Sequence, residues 1–424
     1  MADIFDLSEE LVLDTGKKKA ATPKSVVPKQ SGGAALFYSD AECKEAVLEA
    51  YTFEGLDAPQ CIKGLPTAAK GKDQELGDVV IVQVTESLDI ELDAEEINAT
   101  LPNSKTVILL GQIDSIHTLR RLEKMGFYYL PWPVDKSELI ECLRQASLDE
   151  RKRYESGYFR KAKRIAVVGT KGGIGTSVIA TELCALLAKK GSRSILVDHH
   201  YTLSNIDIIL SQKDLEQVDI STITVEPNKL DEESATSYLN EVDHNFLYLG
   251  FTGEDKIEEL EKYTNTVRNK LGRQANFIVS DFSGSLDFPL KAESLVTDND
   301  VIVLIADPSV SGVRATQRLL DKIKDVAIPQ LVRPRVMVVL NHHRPEGSFN
   351  LNLEEVERFL KVKPDVVIPF YKNAAKQLID GKKLHSLEKG KVAPFTKLSM
   401  AINGQNPNKK TGLLSRLSFK RGKK

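Results

Sequence analysis

The stretch Gly169-Thr170-Lys171-Gly172-Gly173-Ile174-Gly175-Thr176-Ser177 follows an apolar run at 165–168 and precedes a helix-patterned segment at 178–189. Three glycines within four positions open backbone conformations that a Cβ forbids. Successive amide N–H groups can then converge on phosphate oxygens at the positive end of the following helix. Against the phosphate-loop pattern G-x-x-x-x-G-K-[ST], the window 170–177 keeps the second glycine as Gly175 and the closing hydroxyl as Ser177. Two positions depart from it. Thr170 replaces the first glycine and Thr176 the phosphate-gripping lysine, while a lysine, Lys171, stands near the start of the loop. The alternative reading is a glycine-rich strand-to-helix turn with no ligand.

Acids and amides recur where later apolar runs stop. Residues 194–197 end at Asp198, and the chain continues His199-His200-Tyr201-Thr202-Leu203-Ser204-Asn205. Residues 277–280 end at Asp281, the form of a Walker B strand, whose carboxylate can hold a Mg²⁺ shell beside the Ser177 hydroxyl. Residues 301–306 run into Asp307, residues 336–340 into Asn341, and Ile368 into Pro369 and Phe370. An imidazole at His200 can orient a water; a loop histidine without a catalytic role is the other reading.

Short, continuous apolar strands alternating with amphipathic segments call for an α/β fold with a mainly parallel sheet, doubly wound with helices on both faces. Ligands in such sheets bind beyond the carboxyl ends of the strands, where Lys171, Asp198, Asp281 and Asn341 would gather. This block covers 164–403. A second block of strand–helix alternation covers 36–148, with strands expected at 34–38, 79–84, 106–110 and 128–130 and helices at 116–124 and 136–146. A charged linker, 149–163, joins the two, and its basic end, Arg160, Lys161, Lys163 and on to Arg164, is expected on a solvated face. Residues 1–35 read as a flexible leader. Residues 404–424 form a basic tail. As a helix it sets Leu413, Leu414 and Leu417 on one side; an unstructured tail is the alternative.

A chain of 424 residues is too long for one ordinary domain. Its formal net charge of −2 supplies no global field for nucleic acid, so no specific nucleic-acid partner is expected. Cys43, Cys61, Cys142 and Cys184 lack C-x-x-C spacing, which argues against zinc, iron–sulfur and disulfide frameworks and fits a reducing cytoplasm. The N-terminus lacks the basic and apolar regions of a signal peptide, and runs such as 301–306 are far below the ~20 residues that span a bilayer.

Lys-Gly-Gly-x-Gly-x-Ser after a strand, with Asp198, Asn205, Asp281, the run from Asp307 to Arg314 and Asn341 on schedule, resembles the deviant Walker A ATPases of the ParA/MinD family. The resemblance implies a P-loop NTPase domain that binds ATP and Mg²⁺ and forms a homodimer, in which Lys171 reaches the nucleotide of the partner subunit. It further implies that Gly172, Gly173, Ile174, Gly175, Thr176 and Ser177 surround the phosphates and that Ser177 and Asp281 serve the metal. Asn341 would read the adenine edge, and the loop at Pro369 would pack along the base. The family's second acid after Asp198 positions the attacking water; His200 occupies that place here, so Lys171, Asp198 and His200 are the catalytic candidates.

Loss of the second lysine is most similar to the pilus-assembly branch called TadZ or CpaE. The run from Gly126 to Val134, followed by Ser137-Glu138-Leu139, resembles the last strand and helix of a two-component receiver, a flavodoxin-like domain. Receiver chemistry needs a nucleophilic aspartate and a lysine where this chain has Gln83 and Trp132. Without them there is no aspartyl phosphate, and a pseudo-receiver kept as a docking surface is implied. The function implied is a nucleotide-dependent localisation factor, at most a weak ATPase, that positions Tad-type (Flp) pilus or secretion machinery. Its expected partners are a pilus or secretion ATPase and a polar marker protein, and its expected place is the cytoplasm at a cell pole, with peripheral inner-membrane contact through the tail. The alternatives are an active partitioning or flagellar-placement ATPase and an inert scaffold.

Overall fold

The computed structural model describes residues 33–66, 76–85, 87, 89–113, 115–146, 160–202, 204–254, 256–283, 291–330, 334–387 and 393–405. The expected leader up to residue 32, the linker before residue 160 and the tail beyond residue 405 lie outside the described residues. Gly33–Lys424 is one compact unit.

Its first part carries five parallel strands, β1 (Ala34–Tyr38), β2 (Gln60–Lys63), β3 (Val79–Gln83), β4 (Thr106–Gly111) and β5 (Tyr128–Pro131), in the order β2-β1-β3-β4-β5. Successive side chains leave opposite faces of a strand, and both sets here are apolar. Phe37, Val82 and Leu109 join one core, covered by α2 (Ile90–Thr100) and α3 (Ile116–Lys124) through Ile97 and Leu122. Leu36, Ile81 and Ile108 join the other, covered by α1 (Ala41–Phe53) and α4 (Lys136–Ala146) through Val47 and Leu143. This strand order is that of a doubly wound parallel sheet with helices on both faces. The edge strand β2 reads Gln-Cys-Ile-Lys and is half-exposed, too polar for its pattern to stand out in the sequence.

The second part is a larger sheet. Its strands β6 (Lys163–Gly169), β7 (Ser194–Asp198), β8 (Val218–Asp219), β9 (Asn240–Asp243), β10 (Phe246–Thr252), β11 (Phe277–Phe282), β12 (Val301–Ala306), β13 (Arg335–Asn341) and β14 (Val366–Ile368) run β14-β13-β12-β6-β11-β7-β10-β8. Neighbours along this path pair in parallel, and β9 pairs antiparallel with β10. Helices α5 (Thr176–Lys189) and α14 (Pro394–Ile402) press Leu183 and Leu398 onto one face, against Val167 and Val303. On the other, α8 (Ile257–Lys270) and α10 (Val310–Gln330) press Val267 and Leu320 onto Val168 and Leu304. The strand β6, first of this sheet in sequence, lies between β11 and β12, so the winding reverses beside it and a crevice opens at the carboxyl end where the glycine loop begins.

The two parts meet at the opposite, amino-terminal edge of the larger sheet. The last carbonyls of α2 have no partner within the helix, and the second part supplies them. Asn276 Nδ2 donates to Asn98 O at 2.8 Å and Leu101 O at 2.7 Å, and Ser192 Oγ to Ala99 O at 2.5 Å. Arg160, expected on a solvated face, is 1% exposed and donates to Leu101 O at 3.1 Å, to Pro102 O and to Asn98 Oδ1 at 3.2 Å. That corrects the sequence reading. A guanidinium is buried where a fork of donors meets several orphan carbonyls.

Candidate functional site

The loop after β6 is shaped by two glycines in the left-handed region, Gly173 at φ 73° and Gly175 at φ 88°. Gly175 is the N-cap of α5. Among the described residues, none of the amides from Lys171 to Gly175 donates to the protein, which leaves them for an anion at the head of the helix. Asn341, at the end of β13 and 8% exposed, donates its Nδ2 to Ile174 O at 2.7 Å and fixes the loop from the side. The same Nδ2 would stand 2.8 Å from a Cβ at Gly175, so a larger residue there would have to displace the Asn341 amide as well as adopt a φ that side chains disfavour. Pro369 is exposed just beyond Ile368, which pairs with Asn341 in register. The structure thus places Asn341 and Pro369 side by side at one flank of the loop.

Thr176 is buried, and its hydroxyl turns back to the end of β6. A Cβ on Gly169 would lie 2.3 Å from its Oγ1. The side chain that stands in the lysine position is therefore packed inward. Lys171, Gly172 and Gly173 are exposed. The Lys171 ammonium rests 3.5 Å from Asp307 Oδ2 and 3.4 Å from Ser309 Oγ.

Asp198 and Asp281 end neighbouring strands and are directly paired in register. Both are fully buried. Asp198 accepts from His200 N at 2.9 Å, from Tyr248 OH at 3.1 Å and from Ser204 Oγ. Burial nevertheless raises its pKa above the usual carboxylate value, the donors offsetting part of the effect. Asp281 accepts from Ser283 N at 3.1 Å and Ser283 Oγ at 3.2 Å, and from the Ser177 hydroxyl. Burial first, then the Asp198 carboxylate, pushes its pKa up to about 7. Two carboxyls that cannot easily both ionise suit a cation. Among the described residues no three His, Cys, Asp or Glu side chains gather. Ser177 and Asp281 are the residues that could hold Mg²⁺, directly or through water, where it would neutralise phosphate charge.

The two adjacent histidines separate. His199 is 1% exposed, stacks on Phe282 at 4.2 Å and meets Tyr201 OH through Nδ1 at 3.1 Å. Burial and then Arg268 hold it well below its ordinary pKa, as a neutral ring behind the site. His200 is half-buried, its carbonyl accepting from Gln217 Nε2 at 2.9 Å.

The structure brings Lys171, the loop, Asp198, His200, Asp281, Asn341 and Pro369 to the strand ends of one sheet. Sequence reasoning missed Tyr248 and Ser204 as donors to Asp198, Ser283 as a donor to Asp281, and the cluster of Asp307, Ser309 and His343 around Lys171. Asp307 carried a readable signal, an acid closing an apolar run, as Asp198 and Asp281 did.

The CobQ/CobB/MinD/ParA nucleotide binding domain matches residues 165–384. An uncharacterized protein of Methanocaldococcus jannaschii is 25% identical over 192 residues, 41% of this chain and 70% of the relative. Among solved structures, MinD from Aquifex aeolicus is 18% identical with a TM-score of 0.45, covering 58% of this chain and 98% of that one. A ParA family ATPase from Chlorobium tepidum is 18% identical with a TM-score of 0.44, covering 57% and 97%. MinD from Pyrococcus horikoshii, complexed with Mg-ADP, is 19% identical with a TM-score of 0.43, covering 57% and 96%. The family match takes in over half of the chain and contains the glycine loop, both buried acids and Asn341, so the chain belongs to the CobQ/CobB/MinD/ParA family of nucleotide-binding domains.

Proposed function

We propose that this chain is a TadZ/CpaE-like protein, which binds ATP with Mg²⁺, dimerises through the nucleotide, hydrolyses it weakly or not at all, and positions Tad-type pilus or secretion machinery at a cell pole. The observation that carries this reading is the pairing of Thr176, turned inward against Gly169, with His200 where a second carboxylate would position water. The loop amides, Ser177 and Asp281 remain to bind, whereas the groups that would drive turnover are replaced. Mg²⁺ supplies charge neutralisation at the phosphates when bound. Thr176 forfeits a charge-assisted hydrogen bond of roughly 1.5–3 kcal/mol to phosphate. In this reading Lys171 of the second subunit restores that charge only in the dimer, so the cradle is complete only when two chains meet.

The first part acts as a pseudo-receiver and docking surface. Its flavodoxin-like strand order supports the reading, as does Gln83, which occupies the expected nucleophile position. Gln83 is 1% exposed, its Oε1 accepts from Ser39 N at 2.8 Å and Asp40 N at 3.3 Å, and its Nε2 donates to Asp40 Oδ2. Gln83 itself offers no carboxylate to a phosphodonor, and its amide is engaged by the neighbouring Asp40. No helix among the described residues is long and apolar enough to cross a membrane, and peripheral contact falls to the tail.

Light scattering with Mg-ATP, run alongside phosphate release, tests the proposal. The expected result is a nucleotide-dependent dimer, weakened but still measurable in Lys171→Ala, with slow release. Rapid turnover would favour an active partitioning ATPase, and no bound nucleotide an inert scaffold. A fluorescent fusion should mark a pole together with the pilus ATPase, and diffuse signal would reject the placement role.

A further inference from the structure

Lys171 is tethered within its own subunit by a carboxylate that the proposed mechanism leaves unused. Asp307 directly follows β12, and its side chain is 2% exposed. Ser309 Oγ donates to Oδ1 at 2.6 Å, while Oδ2 is shared between Lys171 Nζ at 3.5 Å and His343 Nε2 at 3.2 Å. The head of α10 closes the far side, since a Cβ at Gly312 would stand 1.9 Å from Oδ1. Burial opposes ionisation at Asp307. The Ser309 and His343 hydrogen bonds and the Lys171 charge more than offset it, and the carboxyl is held below its ordinary value. The lysine side chain is 41% exposed. The acid is fixed and the lysine is the movable member.

We infer that Asp307 is a positioning residue that holds Lys171 in reserve on its own subunit until the nucleotide of a second copy competes for the ammonium. This rests on the cross-subunit use of Lys171 proposed above. A triphosphate outbids a single carboxylate for an ammonium on charge alone, and the flexible lysine stem allows the exchange. When Lys171 leaves, Ser309 and His343 still satisfy Asp307, so release does not strand a buried charge. The latch adds the same cost to dimerisation with any nucleotide, because it acts before the nucleotide is met. Its sign is opposite for its two supports. Removing Asp307 frees the lysine, while removing His343 leaves the carboxylate more dependent on it.

Dimer dissociation constants measured by sedimentation with Mg-ATP decide the matter. Two latches open per dimer, each a partly exposed ion pair, so Asp307→Asn should tighten the dimer about fivefold to thirtyfold. His343→Ala should weaken it severalfold. In a Lys171→Ala background both effects should vanish to within about twofold, which a merely structural role would not do. No change in Asp307→Asn, tightening in His343→Ala, or effects that persist without Lys171 would overturn the inference. Should Asp307→Asn fail to fold, His343→Ala and its double variant with Lys171→Ala still give the answer. Dimerisation of Lys171→Ala equal to that of the native protein would instead bring down the cross-subunit reading itself.

Discussion

Replacing Asp281 by Asn removes one of two carboxyls that face each other in register, and its effect on pH dependence follows from the site. An unfolded chain ionises this carboxyl near 3.8, whereas in the folded protein burial and Asp198 push it up to about 7. Between those values the folded state holds the extra proton. The stability that this proton contributes is complete below about pH 4 and is lost as pH rises through about 7. At ~1.4 kcal/mol per pH unit the loss is at most ~4 kcal/mol. Asp198, raised by burial, adds in the same direction. Chemical unfolding of the nucleotide-free, magnesium-free protein should therefore show a midpoint that falls between about pH 5 and about pH 8. Asp281→Asn should flatten the profile and stand ~2–4 kcal/mol above the native protein at the upper end. Added Mg²⁺ should recover stability in the native protein only, since the asparagine brings no charge to compensate. A flat native profile, or an equal fall in the variant, would refute the account of two acids raised by burial and by each other.

Three further outcomes are expected. Asn276→Ala takes the side-chain donor from the Asn98 carbonyl and leaves the Leu101 carbonyl to Arg160 alone, and should cost ~1–3 kcal/mol in the same unfolding assay, with the N-terminal strands losing hydrogen-exchange protection first. Acetyl phosphate should add no acid-labile mass to residues 36–148, and Gln83→Asp, which cannot donate to Asp40, should lower the unfolding free energy by ~1–3 kcal/mol before any phosphorylation is seen. Thr176→Lys should tighten Mg-ADP about tenfold to a hundredfold by calorimetry, and an unchanged affinity would mean that the missing lysine is not what limits binding.

The alternation of apolar runs with amphipathic helices was enough to place β1, β3, β4 and β5 within a residue of their observed ends, because both faces of those strands are buried and their composition says so. The edge strand β2 escaped, since an edge needs little apolar surface. The run Phe246–Thr252 was readable by the same rule and simply passed over; it became β10, beside β7. At the site, each acid or amide closing an apolar run was in place. What the runs could not carry was direction, namely that Asn341 would hold the loop, that His199 would be buried while His200 stays half-buried, and that Asp307 would hold Lys171. Those depend on loop conformations set by contacts far apart in sequence. Arg160 failed for a related reason. A basic run reads as solvated unless one knows that an uncapped helix end lies against it.

The two halves depart from their expected chemistry in the same physical way. At Gln83 and at Thr176, where the proposed reading expects a charged, reacting side chain, the chain carries a neutral one turned toward its own backbone, on Ser39 and Asp40 in one case and on the end of β6 in the other. A simple loss of function would leave an orphaned pocket, with buried polar groups that lack partners and cost ~1–3 kcal/mol each. Neither side chain is left in that state. On the proposed reading both positions are closed, and the hydrogen bonds at the end of α2 join the two parts. A chain so joined is suited to presenting surfaces, and the charged pieces left exposed and movable near the crevice, Lys171 above all, are the ones a second copy could still reach.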